Sequence, residues 1–123
     1  SRQGLCDFTQ HDDLLSGLRS LSNKLDNWIC VTDGSAGVYY LDRGEPRNIQ
    51  GPQVLAVDTL GAGDVWHGAF VLGLAEGKNE LDAIHFANLA AALKCTTFGG
   101  RLGMPTRSAV SDFNLSVMES KSV

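Results

Sequence analysis

The stretch Val54-Leu55-Ala56-Val57-Asp58-Thr59-Leu60-Gly61-Ala62-Gly63-Asp64 constrains this chain more than any other. Apolar, β-prone residues run into two glycines, and an apolar run with good helix formers follows from Ala69 to Ala75. The pattern predicts a strand, a tight turn and a helix over about residues 62–76. A helix start leaves backbone N–H groups without partners, at the positive end of the helix dipole. Such a start binds anions, phosphates above all. Glycine suits it because a Cβ would hold a phosphate oxygen away from the backbone. Asp64 is the odd member. A carboxylate in a first turn reads as a favourable cap. On a loop that holds a phosphate it reads instead as a base that takes a proton from an incoming hydroxyl.

Composition sets the outer bounds. The chain has 123 residues, enough for one small domain, with 43% hydrophobic and 20% charged residues, as in an ordinary globular protein. A net charge of −4 argues against a general nucleic-acid binder, which carries a basic surplus. No apolar stretch reaches the length of a membrane span and no signal peptide opens the chain. Cys6, Cys30 and Cys95 are widely spaced and form no metal-ligand pattern, so they read as buried free thiols of a reducing, cytoplasmic compartment.

In chain order, residues 1–8 read as the exit from a strand into a short helix, with Leu5 and Phe8 on one apolar face. A helix from His11 or Asp12 to Leu25 carries the packing stripe Leu14, Leu15, Leu18, Leu21 and Leu25. The run Trp28 to Thr32 suits a parallel strand buried on both faces. It meets Asp33-Gly34-Ser35-Ala36-Gly37, which reads first as a tight turn into the strand Val38 to Leu41. Residues 42–46 read as a hairpin turn and residues 47–50 as a return strand. Gly77 is the expected C-cap of the helix after the glycine turn, and Asn79 the N-cap of the next, from Glu80 to about Lys94. Apolar residues cover most of that helix, so it is expected to be largely buried. His67 reads as a structural histidine or one that supports the site from behind. Thr106 caps a last short helix with Val110 and Phe113 facing inward, and residues 116–123 read as a frayed tail.

Asp58-Thr59-Leu60-Gly61-Ala62-Gly63-Asp64 resembles the C-terminal signature of the ribokinase-like, or PfkB, carbohydrate kinases. Thr32, Gly34 and Gly37 match the family's Thr-x-Gly-x-x-Gly, and Gly99-Gly100-Arg101-Leu102-Gly103-Met104-Pro105 matches its Gly-Gly-x-x-Gly-x-Pro loop. No Gly-Lys-Ser/Thr follows the glycine turn, so it is not a Walker A loop. The resemblance spans nearly the whole chain but only the C-terminal part of the family fold, a three-layer Rossmann-like α/β sheet flanked by helices. It implies that the chain begins partway through a longer protein, lacking the sugar-binding part and the lid, and that this piece alone is inactive and leaves a sheet edge and an apolar face uncovered. Two departures stand out. Asp33 falls where the family commonly has Leu. Residues 1–4 fall over its Asn-x-x-Glu motif with neither the amide nor the carboxylate, so either the metal is organised differently here or the alignment is displaced at this end.

Residue by residue, the resemblance implies Asp64 as general base and the backbone of Gly61, Ala62, Gly63 and Asp64 as an anion hole. It implies that Thr32, Asp33, Gly34, Ser35, Ala36 and Gly37 line the nucleotide phosphates, together with Gly63 and Asp64, and that Asn88 borders the adenine. Asp58, Leu60, Lys94, Thr97, Gly99 and Gly103 would hold a monovalent cation, mostly through carbonyls, with K⁺ the suited ion. The implied activity is ATP- and Mg²⁺-dependent phosphorylation of a sugar hydroxyl by a cytoplasmic enzyme with a small-molecule substrate, no nucleic-acid or membrane partner, and a homodimer as the assembly it allows. The alternatives are a nucleoside or vitamin kinase of the same family and a non-catalytic nucleotide-binding relative.

Overall fold

In the computed structural model, which describes residues 1–99 and 103–121, the chain divides into two units, Ser1–Gln50 and Gly51–Val123. The first holds helix α1 (Arg2–Thr9), helix α2 (Leu14–Lys24) and strands β1 (Cys30–Thr32), β2 (Val38–Asp42) and β3 (Glu45–Ile49). Both helix starts are capped by the residue just before them. The Ser1 hydroxyl accepts from the Gly4 N–H at 3.2 Å, and Asp13 accepts from the Ser16 N–H at 2.9 Å. The leucine stripe of α2 does what its spacing predicts at its start. Leu14 and Leu18 are buried with Leu5 and Val31, and Leu15 and Leu21 pack against them. Leu25 lies beyond the helix and is exposed. So is Phe8, expected inward beside Leu5.

The sheet differs from the expected one. Among the described residues β1 pairs only with β2, and antiparallel, with Val31 opposite Tyr39. An apolar run reports burial, not the direction of a neighbouring strand, and the short connection to β2 dictates antiparallel pairing. β2 pairs in turn with β3, Tyr40 opposite Arg47. The two turn residues, Arg43 and Gly44, both have positive φ (52° and 82°), as a right-handed twist demands of a two-residue hairpin. Pro46 is tolerated in β3 because, among the described residues, that strand has a single neighbour.

The second unit contains α3 (Ala62–Ala75), α4 (Glu80–Cys95) and α5 (Arg107–Lys121). The Asn79 side chain caps α4 by accepting from the Asp82 N–H at 2.8 Å. Gly77, at φ 90°, closes α3 as expected, with the Gly77 and Lys78 N–H groups returning to the Leu74 and Gly73 carbonyls. α3 and α4 pack through small residues, and a Cβ on Gly73 would sit 3.2 Å from the Ala83 Cβ. The Trp66 indole is buried between them, stacked on Phe70 at 5.1 Å. Val110 of α5 is buried as expected, and the helix continues through residues 116–121, where a frayed tail was expected; residues 122 and 123 lie outside the described residues.

Two further expectations are corrected. Val54–Val57 forms no strand, although its composition is that of one. A strand exists by pairing, and no described strand pairs with this segment. The Val57 N–H instead donates to the Cys95 carbonyl at 2.8 Å, and Leu55 and Val57 are exposed. The cysteines are free, but half-buried rather than buried. Burial pushes the Cys30 thiol up to about 11. Among the described residues no helix is long and apolar enough to cross a membrane.

Gly37 holds the Asp33–Gly37 turn in a backbone region (φ 96°, ψ −149°) that side chains avoid, and a Cβ there would run into the Ile49 carbonyl. Gly37→Ala is therefore expected to cost about 1–3 kcal/mol or more. Gly34→Ala, at φ 53° with open space around it, should cost clearly less. Denaturant midpoints of the two variants of the complete protein check the order.

Candidate functional site

The helix start at α3 is built as the sequence implies. Gly61 is its N-cap at φ 79° and makes no side-chain cap. The Val65 N–H is the first to reach a carbonyl one turn back, that of Gly61 at 3.0 Å. The Ala62 N–H turns onto the Thr59 carbonyl at 3.1 Å, so this member of the expected anion hole is already engaged. Among the described residues nothing accepts from the N–H groups of Gly61, Gly63 or Asp64. Among the described residues, a Cβ on Gly61 or Gly63 would meet no atom within 4 Å. The Asp64 carboxylate is exposed in the first turn and makes no capping bond. His67 supports the turn from behind, its Nδ1 lying 2.7 Å from the Gly63 carbonyl, which requires the proton on Nδ1.

The segment leading into this helix is tied to the end of α4. Asp58 is the knot. Its Oδ1 accepts from the Leu60 N–H at 2.9 Å and its Oδ2 from the Gly99 N–H at 2.9 Å, while its own N–H donates to the Cys95 carbonyl at 3.2 Å. The Leu60 bond, then the Gly99 bond, and also the Lys94 charge hold its carboxyl below its ordinary value of 3.8. Gly103 packs against this turn, its N–H donating to the Gly99 carbonyl at 3.1 Å, and any Cβ there would collide with that oxygen. The structure thus brings together Asp58, Leu60, Lys94, Thr97, Gly99 and Gly103, the six residues expected to hold a cation, but not as an open ring of carbonyls. The Lys94 carbonyl accepts from the Thr97 N–H at 3.1 Å. The Lys94 side chain is wholly buried, its Nζ donating to the Asp58 carbonyl at 3.2 Å, lying 3.5 Å from the Thr97 carbonyl and 3.7 Å from Asp58 Oδ2. Lys94 enters as an ammonium group, not as a carbonyl ligand. The readable signal was its place on the buried stripe Ala83, Ala87, Ala90, Lys94 of α4.

Asn88, expected beside adenine, is buried, and its Oδ1 accepts from the Trp66 indole N–H at 2.8 Å. That oxygen is committed to the α3–α4 packing. The resemblance gave no sign of this pairing, though a buried tryptophan N–H always seeks an acceptor.

In the first unit, the turn after β1 closes by bonds from the Asp33 N–H to the Gly37 carbonyl (2.8 Å) and from the Ala36 N–H to the Asp33 carbonyl (3.0 Å). Nothing among the described residues accepts from the Gly34 and Ser35 N–H groups. The Asp33 carboxylate, the departure from the family pattern, is paired with Arg2 at 2.9 Å. Arg2 is the first residue of α1. Among the described residues no cluster of His, Cys, Asp and Glu could hold a metal ion.

The described residues adopt part of the ribokinase-like α/β fold: they align with a ribokinase of known structure from Thermotoga maritima at a TM-score of 0.82 and 30% identity, covering 93% of this chain and 39% of that one. The family model of the pfkB family carbohydrate kinases matches residues 3–107, and the chain belongs to that family. It is 44% identical over 82 residues to the ribokinase of Bacillus subtilis, covering 67% of this chain and 28% of that protein. It also aligns with the ribokinase of Arabidopsis thaliana solved with ribose and ATP, at a TM-score of 0.79 and 27% identity over 91% of this chain and 38% of that one. The chain spans about three tenths of the length of the bacterial ribokinases it matches.

Asp58 sets a pH dependence. Its carboxyl is depressed in the folded state, so the stability it contributes is present above its unfolded value and lost as pH falls through the folded one. Unfolding titrations of the complete protein at pH 7, 4 and 3 should show wild type losing stability below pH 4. The gap between it and Asp58→Asn should close over that same window.

Proposed function

We propose that the complete protein is an ATP-dependent carbohydrate kinase in which the start of α3 holds the transferring phosphoryl group and Asp64 deprotonates the acceptor hydroxyl. One observation carries the reading: the open amides of Gly61, Gly63 and Asp64 share a helix start with a carboxylate that makes no capping bond. Family membership and the alignment with a ribokinase solved with ribose and ATP support it.

Phosphoryl transfer asks for positioning and charge neutralisation more than for covalent chemistry. The open N–H groups and the α3 dipole would stabilise charge on the γ-phosphoryl oxygens. The magnesium complex of ATP is the nucleotide substrate. As the acceptor oxygen bonds to phosphorus, its proton passes to Asp64, the bond to the β-phosphate bridging oxygen breaks, and ADP leaves. The Gly34 and Ser35 amides are assigned separately to nucleotide phosphates.

A lone general base contributes about 10²–10⁴-fold in rate. Asp64→Asn in the complete protein should therefore keep ATP affinity, measured by calorimetry, and lose kcat by about that factor. Near wild-type turnover would remove Asp64 from the base role. An acceptor screen read by ADP release separates sugars from nucleosides and vitamin alcohols, and ATP binding without turnover on any acceptor would favour a non-catalytic binder.

A further inference from the structure

The six positions expected to cage a monovalent cation already contain one. We propose that the Lys94 ammonium is a covalently tethered replacement for a free alkali ion, and that it sets the phosphate-gripping helix start without any ion from solution. The inference rests on the reading of that helix start given above, and it reverses the expected use of K⁺.

The argument begins with what the ammonium touches. Among the described residues it meets three oxygen atoms from the two segments it joins: the Asp58 carbonyl, the Thr97 carbonyl and an Asp58 carboxylate oxygen. Carbonyls together with a carboxylate are the donor set of a hard monovalent cation. A lysine ammonium is a compact point charge with three N–H donors, and it meets such oxygens as a bound ion does. The group is wholly buried, and its charge already lies within 4 Å of those oxygens. Nor is the spot accidental. Lys94 lies in the last turn of α4, where the helix dipole favours positive charge.

The position gives it a task. Asp58 is three residues before Gly61, and its carboxylate holds the N–H groups of Leu60 and Gly99 at once. A carboxylate fixed on two amides is fixed more firmly by a cation behind it. The ammonium also binds the Asp58 main chain through its carbonyl. Lys94 therefore clamps, from α4, the backbone that delivers the Gly61 and Gly63 amides. It is a positioning residue, since it touches the loop and not the phosphate. Because the cation is part of the chain, its local concentration is independent of the medium, and the site is saturated at every salt composition.

The test uses the complete protein in potassium, ammonium, sodium and tetramethylammonium chloride at equal ionic strength. For wild type, melting temperature, ADP affinity and kcat are expected to agree within twofold across the four salts. Lys94→Ala opens an ion-sized space. Its melting temperature and ADP affinity should fall in tetramethylammonium and recover specifically in potassium or ammonium, with kcat rising at least tenfold. Lys94→Met fills the space without charge and should be impaired alike in all four salts, whereas Lys94→Arg should stay indifferent to the cation. A wild type activated tenfold or more by potassium overturns the proposal, as does a Lys94→Ala protein that loses nothing or is not rescued by any cation. If Lys94→Ala does not fold, the wild-type salt series and the Lys94→Met and Lys94→Arg pair decide between the same outcomes. The melting and ADP-binding arms stand even if no acceptor is phosphorylated, so failure of the kinase reading is told apart from failure of this one.

Discussion

A buried ammonium group must be surrounded by oxygen or it will not stay charged and buried. That requirement, met at Lys94, organises the second unit. The Asp58 carbonyl and carboxylate and the Thr97 carbonyl are drawn to one point. The carboxylate can then take the amides of Leu60 and Gly99, which shapes the turns on both sides of it. The Cys95 carbonyl, one residue on from the lysine, takes the N–H groups of Val57 and Asp58. A segment with no strand partner among the described residues is thereby held by the end of a helix, and the helix start beyond Asp58 is held with it.

Much of the fold was legible because much of it is local. Caps act over three residues, so Asn79 and Gly77 mark the limits of two helices from sequence alone. Helical periodicity gave Leu14 and Leu18 their inward face. What failed was non-local. Nothing within residues 54–57 states whether a neighbour exists to pair with them, and nothing within residues 28–32 states the direction of that neighbour. The end of α5 failed for a different reason. Its last residues are polar and weakly patterned, and it is tied to the rest of the unit at its start, where Val110 is buried and Arg107 pairs with Glu76 at 2.6 Å.

At the site the same division holds. Open amides at a helix start follow from backbone geometry, so Gly61 and Gly63 could be named from their place in the pattern. The destinations of long side chains do not follow. Asn88, which the resemblance implies beside the adenine, is the acceptor for the Trp66 indole. Lys94 reads as a carbonyl on a loop and is instead the charge at its centre. In both cases the partner of the side chain could not be read from its place on the backbone.

The glycines separate what the fold needs from what a ligand needs. Gly37 and Gly103 are required by the chain itself, since a Cβ on either would strike a carbonyl oxygen, of Ile49 or of Gly99. Gly63 has no such excuse. It lies inside α3, with no positive φ and no atom within 4 Å of where its Cβ would be. Alanine there would fit, and would favour the helix by about 1 kcal/mol. Beside open amides at a helix start, what a missing side chain leaves is room for an anion to reach the backbone. On the proposed reading, that room is what contact with a phosphate would use.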